Sequence, residues 1–227
     1  MQRYLYRAQC EAWNNPELHS LMRSRKMHIQ EKMARGKVST LSLFAHQHDY
    51  FLYYECEGEP VEPAGLLLEE PGLFAAWPGA SKLRLWVPMM DIFHYQAPVS
   101  AEHWKRKQPG AEAYGRIALL RPEWVASYIY YHYQYQEEQP GAGHKYGIIG
   151  LHENLLFFYS ERPAVLEAAP YSGKLQSRQT PENWVELMEP HFIKWEHRPP
   201  DQTIWLNLTL VLQAEPAYQK GDVDIHA

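Results

Sequence analysis

Histidine is the most versatile proton carrier in this chain, and its twelve copies fall into a few patterns. An unperturbed imidazole titrates near pH 6.5, so it can take or give a proton at working pH. His46-Gln47-His48 places two imidazoles two residues apart, but a metal site in a hairpin turn needs more ligands than that. A solvated hairpin tip fits better, and His152-Glu153 reads the same way. His132 differs, standing inside Tyr130-Tyr131-His132-Tyr133-Gln134-Tyr135 with Tyr128 four residues earlier. Two readings of it stay open: an aromatic helix face packed on a sheet, or an acid–base group among aromatic walls. Glu69-Glu70 and Glu137-Glu138 read as solvated loop or helix-end charges. There is no glycine-rich phosphate loop, no Ser-His-Asp order and no Cys-x-x-Cys. The expectation is therefore a site that uses neither metal nor organic cofactor.

The elements that must position such groups occur twice. Ser42-Leu43-Phe44-Ala45-His46 followed by Asp49-Tyr50-Phe51-Leu52-Tyr53-Tyr54 has a second version. It is Ile148-Ile149-Gly150-Leu151-His152 followed by Asn154-Leu155-Leu156-Phe157-Phe158-Tyr159. Trp86-Val87-Pro88-Met89-Met90 is echoed by Trp184-Val185-Glu186-Leu187-Met188 at nearly the same distance. A period of roughly a hundred residues is too long for a solenoid and suits two copies of one small domain. The expected division is residues 1–110, with an insertion near 58–79, and residues 111–227.

Each copy predicts the order β-α-β-β-α-β. In the first, a strand over 3–9 leads to a helix capped by Asn15 with Pro16 at its first position, running to Gly36. Val38–Ala45 and Tyr50–Cys56 form a hairpin, and a second helix spans about Ser81 to Tyr95. The last strand is placed at His103-Trp104-Lys105. In the second copy the strand is Arg116–Leu120 and the helix Pro122–Glu138. A hairpin turns at His152-Glu153, a helix starts at Thr180-Pro181-Glu182, and Thr203–Gln213 alternates as a half-buried strand. Two helices cover one face of such a sheet. The other face is apolar and requires a partner sheet, which the second copy supplies. The predicted class is α+β: tandem ferredoxin-like repeats closing into an intramolecular dimeric α/β barrel.

Composition narrows the partners. Apolar residues make up 45% of the chain, ample for a core, and a net charge of −5 without a basic stripe argues against nucleic acid. No run approaches transmembrane length, and the N-terminus alternates like a strand instead of carrying a signal peptide's apolar core. Cys10 and Cys56 read as buried thiols of a reducing compartment, which places the protein in the cytoplasm. On that reading the sequon Asn207-Leu208-Thr209 is never glycosylated. The expected state is a monomer acting as a pseudo-dimer, or a weak homo-oligomer, with a small molecule as partner and no membrane.

The segment Tyr128-Ile129-Tyr130-Tyr131-His132, with Lys145-Tyr146-Gly147-Ile148-Ile149-Gly150-Leu151-His152-Glu153-Asn154-Leu155-Leu156-Phe157, resembles the L-rhamnose mutarotase family. That family consists of ferredoxin-like domains paired as dimeric α/β barrels, which interconvert sugar anomers without metal or cofactor. The resemblance covers about a hundred residues, mostly of the second half. It puts His132 on the family's helix-one histidine, Tyr128 four residues before it, Tyr146 on the strand-two tyrosine and Trp184 on one of a tryptophan pair. The family's Trp-Pro-Glu segment is here Gln136-Glu137-Glu138. In the first half Thr40 stands opposite Tyr146, and the counterpart of His132 falls near Lys26.

The resemblance implies His132 and Tyr146 as catalytic groups and Trp184 and Tyr128 as substrate-binding groups. Mutarotation removes the anomeric hydroxyl proton while protonating the ring oxygen. Histidine and tyrosine can share that work, and an aromatic ring takes the C–H face of a sugar. Helical spacing with Leu187 and Met188 fits core packing for Trp184 equally well. Three functions follow as expectations: a monosaccharide mutarotase or epimerase, a non-catalytic binder of carbohydrate or another small metabolite, and a barrel monooxygenase.

Overall fold

The computed structural model describes residues 1–13, 15–67, 73–79, 83–107 and 110–217. Glu69 and Glu70 lie outside them. The first half contains β1 (Gln2–Gln9), α1 (Pro16–Ser24), α2 (Lys26–Arg35), β2 (Val38–His46) and β3 (Asp49–Cys56). A single turn α3 (Pro63–Leu66), β4 (Trp86–Pro88), β5 (Met90–His94) and a short α4 (Ala101–Trp104) follow. The second contains β6 (Glu112–Leu120), α5 (Val125–Glu138), β7 (Ile148–His152), β8 (Leu155–Arg162) and α6 (Trp184–Met188). It ends with β9 (Phe192–Ile193), β10 (Leu206–Asn207) and β11 (Thr209–Ala214).

Strict alternation sorts the side chains of each strand into two layers. In β3, Phe51 and Tyr53 face one way and Tyr50, Leu52 and Tyr54 the other; in β8, Phe157 and Tyr159 oppose Leu156 and Phe158. The inward sets of the two sheets meet in one core that holds Leu5, Phe44, Phe51, Ile117, Phe157 and Leu206. Tyr53 and Tyr159, related by the repeat, stack at its centre with ring centroids 3.6 Å apart. Each such ring contributes on the order of 1.5–3 kcal/mol through burial. The two hairpins also share their turn geometry: Gln47 and Glu153 both take positive φ, 55° and 57°.

The sheets are ordered β11-β2-β3-β1-β4 and β10-β6-β8-β7-β5. Within each half the order is fourth–first–third–second, as the ferredoxin-like arrangement requires, with one foreign strand at the far edge. The chain passes from β4 to β5 through Met89 and from β10 to β11 through Leu208, each time leaving its own sheet for the other. Met89 N–H donates to Leu5 O (2.8 Å) and Leu208 N–H to Gly115 O (2.9 Å), so hydrogen bonding continues across both seams. The β2 edge of the first sheet and the β7 edge of the second are thereby each paired with a strand from the other half.

Four expected elements differ. Residues 86–94 of the expected Ser81–Tyr95 helix are strands, because the edges of β1 and β7 offer ladders that this β-rich run completes. Pro88, which has no N–H, ends β4 on an edge strand, where that is tolerated. The echo between Trp86 and Trp184 is therefore one of letters only, since Trp86 lies in a strand and Trp184 opens α6. His103-Trp104-Lys105 is no strand: Ala101–Trp104 form a helical turn capped by Ser100, whose Oγ accepts from His103 N–H (3.1 Å). The first helix breaks at Arg25 (φ −90°, ψ 9°) into α1 and α2. Its start is as expected, Asn15 Oδ1 accepting from Leu18 N–H at 3.0 Å. Thr203–Gln213 becomes strand only from Leu206, with an irregularity between Leu210 and Leu212.

Candidate functional site

Helix α5 lies on the outer face of the second sheet. Tyr128, His132 and Tyr135, at i, i+4 and i+7, turn towards it, whereas Tyr130 and Tyr133 are exposed. His132 Nδ1 is 2.9 Å from the Tyr128 carbonyl oxygen, a geometry that makes Nδ1–H the donor and leaves Nε2 with its lone pair. The imidazole stacks on the Tyr128 ring at 3.9 Å and meets Phe93 and Trp184 edge-on at 5.2 and 5.0 Å. Burial pulls its pKa down to about 4. The Tyr128 carbonyl favours the proton but is outweighed, and His191 adds a further push downwards. His132 is therefore neutral at ordinary pH.

These rings border a cavity of about 550 Å³. Phe93, Ile149 and Phe158 form its floor, Tyr135, Trp184 and Trp205 its walls, and Tyr95, Arg116 and His132 supply polar atoms. Burial raises the pKa of the Tyr95 and Tyr135 hydroxyls, keeping them protonated as potential donors. The Tyr95 ring is wedged between Gly143 and Gly147, where a Cβ would come within 2.3 Å and 2.7 Å of ring carbons. Those glycines give the ring its seat.

The loop that carries Trp184 is fastened to the end of α5. Glu138 accepts from Ser177 Oγ (2.6 Å), Gln179 N–H (3.0 Å), Thr180 N–H (2.8 Å) and Thr180 Oγ1 (2.5 Å). Glu137 accepts from Lys174 N–H at 2.9 Å. The expectation of solvated helix-end charges at 137–138 is thus overturned, because the free N–H groups of the returning loop seek acceptors there.

Of the four expected site residues, the structure brings Tyr128, His132 and Trp184 together around this cavity. Tyr146 lies elsewhere, lining a pocket of about 120 Å³ with Lys145, Glu161 and Glu167. Its ring carries the Arg106 guanidinium at 4.1 Å and the edge of Trp104 at 5.1 Å. Burial, opposed by Arg106, leaves its hydroxyl pKa pushed up to about 12. Thr40 lines a third cavity at this end, again with Arg106. Of the hairpin histidines, His46 stands edge-on to Trp195 (6.0 Å), and His48 Nδ1 pairs with Cys10 O at 3.0 Å. Cys10 and Cys56 are buried free thiols. Among the described residues no group of three or more His, Cys, Asp or Glu could hold a metal ion, and no helix is long and apolar enough to cross a membrane.

Two features escape sequence reasoning. Arg116, on the face of β6 that α5 and α6 cover, enters the cavity although nothing local marks it. At one end of the barrel Arg106 bridges Glu55 and Glu161, the two carboxylates meeting across the pseudo-twofold axis. Tyr53 OH donates to Glu55 (2.5 Å) and Tyr159 OH to Glu161 (2.9 Å). A signal was present for this pair, but one residue out of the register read from the sequence: the hairpins place Asp49 opposite His46 and Leu155 opposite His152, so Tyr53-Tyr54-Glu55 corresponds to Tyr159-Ser160-Glu161.

The fold and cavity define a tandem α/β barrel with a small-molecule-sized cleft between helix and sheet. No family model and no curated protein matches the chain, so the likeness to L-rhamnose mutarotases rests on the quoted residues alone. Two solved structures are similar over nearly the whole length. A protein of Fusobacterium nucleatum subsp. nucleatum named "putative monooxygenase" is 7% identical, with 94% of this chain and 93% of that one covered and a TM-score of 0.39. One of Lactobacillus acidophilus NCFM with the same name is 8% identical, with 95% and 97% covered and a TM-score of 0.43. At these values neither says anything about activity.

Proposed function

We propose that the cleft beside α5 is a cofactor-free acid–base site that moves a proton on a small ring-shaped metabolite, in the manner of a mutarotase. The observation that supports it is His132, a neutral imidazole with Nδ1–H committed to the Tyr128 carbonyl and Nε2 left to accept. The Tyr95 and Tyr135 hydroxyls at the same cavity are donors, which takes over the role the resemblance gave to Tyr146. Trp184 and Trp205 offer flat faces for a sugar ring. A base of such low pKa is weak, so its proton would be held only fleetingly and passed on within the same complex.

The apolar lining of Phe93, Ile149 and Phe158 favours a second reading, oxygenation of a flat phenol to a quinone by dioxygen. In that reaction one oxygen atom enters the ring and the other leaves as water with the two electrons and two protons the phenol gives up. One assay separates the two. Free monosaccharides are followed by saturation-transfer and exchange NMR, and phenols by oxygen consumption, with wild type and His132→Gln. Anomer exchange that falls about 10²–10⁴-fold in the variant supports the proposal. Oxygen uptake without anomer exchange moves the site to the second reading. Binding without either reaction makes it a binding protein.

A further inference from the structure

The structure holds a cation whose partner is missing. Arg116 projects from β6 into the cavity of His132, framed by Tyr114, Phe158 and Trp205 with its guanidinium carbon 5.4–5.5 Å from each ring centroid. Its Nε is buried and makes no hydrogen bond. Among the described residues no carboxylate forms an ion pair with it. Glu189, the carboxylate that lines the cavity, is engaged 2.5 Å from Lys194 Nζ. A second cation, Arg162, sits over the Tyr114 ring at 3.6 Å and adds to the positive field. Arg7 is answered by Asp49 (2.9 Å), Arg106 by Glu55 and Glu161, and Lys145 by Glu167 (2.5 Å). Arg3, whose buried Nη1 also makes no hydrogen bond, lies against the Trp104 ring (5.1 Å) and not in this cavity.

A guanidinium stays charged in a protein and offers five N–H donors in a fork suited to two oxygens. Partly removed from water among aromatic rings, it gains from ring faces but keeps most of its hydrogen-bonding capacity unused. We infer that the ligand of this cavity is an anion, a ring-shaped metabolite bearing one carboxylate that Arg116 grips while the ring lies against Trp205 and Trp184. This deepens the acid–base reading of the same cleft and rests on it only for the location of the ligand. His132, neutral and without a charge of its own, then faces the uncharged end of the molecule. Acid and base work is thereby separated from charge recognition. The inference narrows the substrate class from sugars in general to sugar acids and flat aromatic acids.

The test uses the full chain and two matched pairs of probes, galacturonate against galactose and 4-hydroxybenzoate against 4-hydroxybenzamide. Binding is read by tryptophan fluorescence and calorimetry at millimolar probe. In at least one pair the acid is expected to bind about 10- to 100-fold more tightly than its neutral partner, the usual worth of a charge-assisted hydrogen bond. Arg116→Met, which keeps the apolar stem, should abolish the preference, and Arg116→Lys should retain part of it. Equal binding of acid and neutral partner in wild type, no saturable binding of either acid, or an undiminished preference in Arg116→Met each overturns the inference. The wild-type comparison stands even if a variant fails to fold. Acid preference without His132-dependent proton transfer removes the acid–base reading and leaves the anion site. Proton transfer on neutral probes alone does the reverse.

Discussion

At the scale of the residue, His132 couples the cleft to stability. Its folded pKa of about 4 lies below the unfolded value near 6.5, so between these limits the unfolded chain binds more protons. Stability therefore rises with pH through that window, and acidification from pH 7 to below 4 removes about 3 kcal/mol through this group alone. His132→Leu should lose less stability than wild type when urea midpoints at pH 7 and pH 4.5 are compared. Equal acid sensitivity in the two proteins would show that the imidazole is hydrated and not packed between Tyr128, Phe93 and Trp184. The same packing means that truncation to alanine costs about 1–3 kcal/mol, so activity loss in that variant has to be read beside its melting curve.

At the scale of the element, the C-terminal end of α5 controls the loop before α6. Two carboxylates at a helix C-terminus oppose the dipole, and here the loop's N–H and hydroxyl groups compensate for that position. These donors hold the Glu138 carboxyl well below the usual range. They also fix the approach of Trp184 to the cavity. Glu138→Gln should leave the barrel strands unchanged in hydrogen exchange but speed exchange at the Gln179 and Thr180 amides, which lose their charged acceptor. Unaltered protection at those two amides would mean that the loop is held by packing, for example by the close seat of Gly173 on the Glu137 backbone. First-half cover is built differently: α1 and α2 with the single turn α3 stand where the second half has α5 and α6. The two halves therefore cover their outer sheet faces with different elements.

At the scale of the whole molecule, the barrel is tied at one end by Arg106 between two buried carboxylates. Burial alone would raise the pKa of Glu55, yet the Arg106 charge and hydrogen bonds hold it below the usual value. This contribution to stability is present above the unfolded carboxylate pKa and is lost as pH falls through the folded one. Arg106→Met removes the bridging charge and leaves two carboxylates facing each other, which should cost about 3–5 kcal/mol at pH 7. The deficit relative to wild type should shrink on acidification towards pH 4, because a protonated carboxyl no longer needs the arginine. A deficit that is constant with pH, read from parallel melting curves, would show that Arg106 acts by packing on Tyr146 alone.

What the sequence determined by itself was local and periodic. Alternating apolar residues made β2, β3 and β8 legible. The doubled hairpin with Gln47 and Glu153 at matching turn positions announced the repeat, and Asn15-Pro16 marked the first helix. These signals depend on neighbours a few positions away, and so do the residues that wrote them. The path of 86–94 was decided by tertiary structure, since the run became strand only because two sheet edges stood open to receive it. Membership of the cavity was decided the same way. His132, Tyr128 and Trp184 meet there because α5 and the loop before α6 pack on one sheet face, while Tyr146 is carried to the barrel end by the strand that follows. Arg116 reads in sequence as an ordinary outward strand residue. Only the tertiary structure gathers aromatic side chains from separate elements around that arginine and, among the described residues, leaves it without a carboxylate partner.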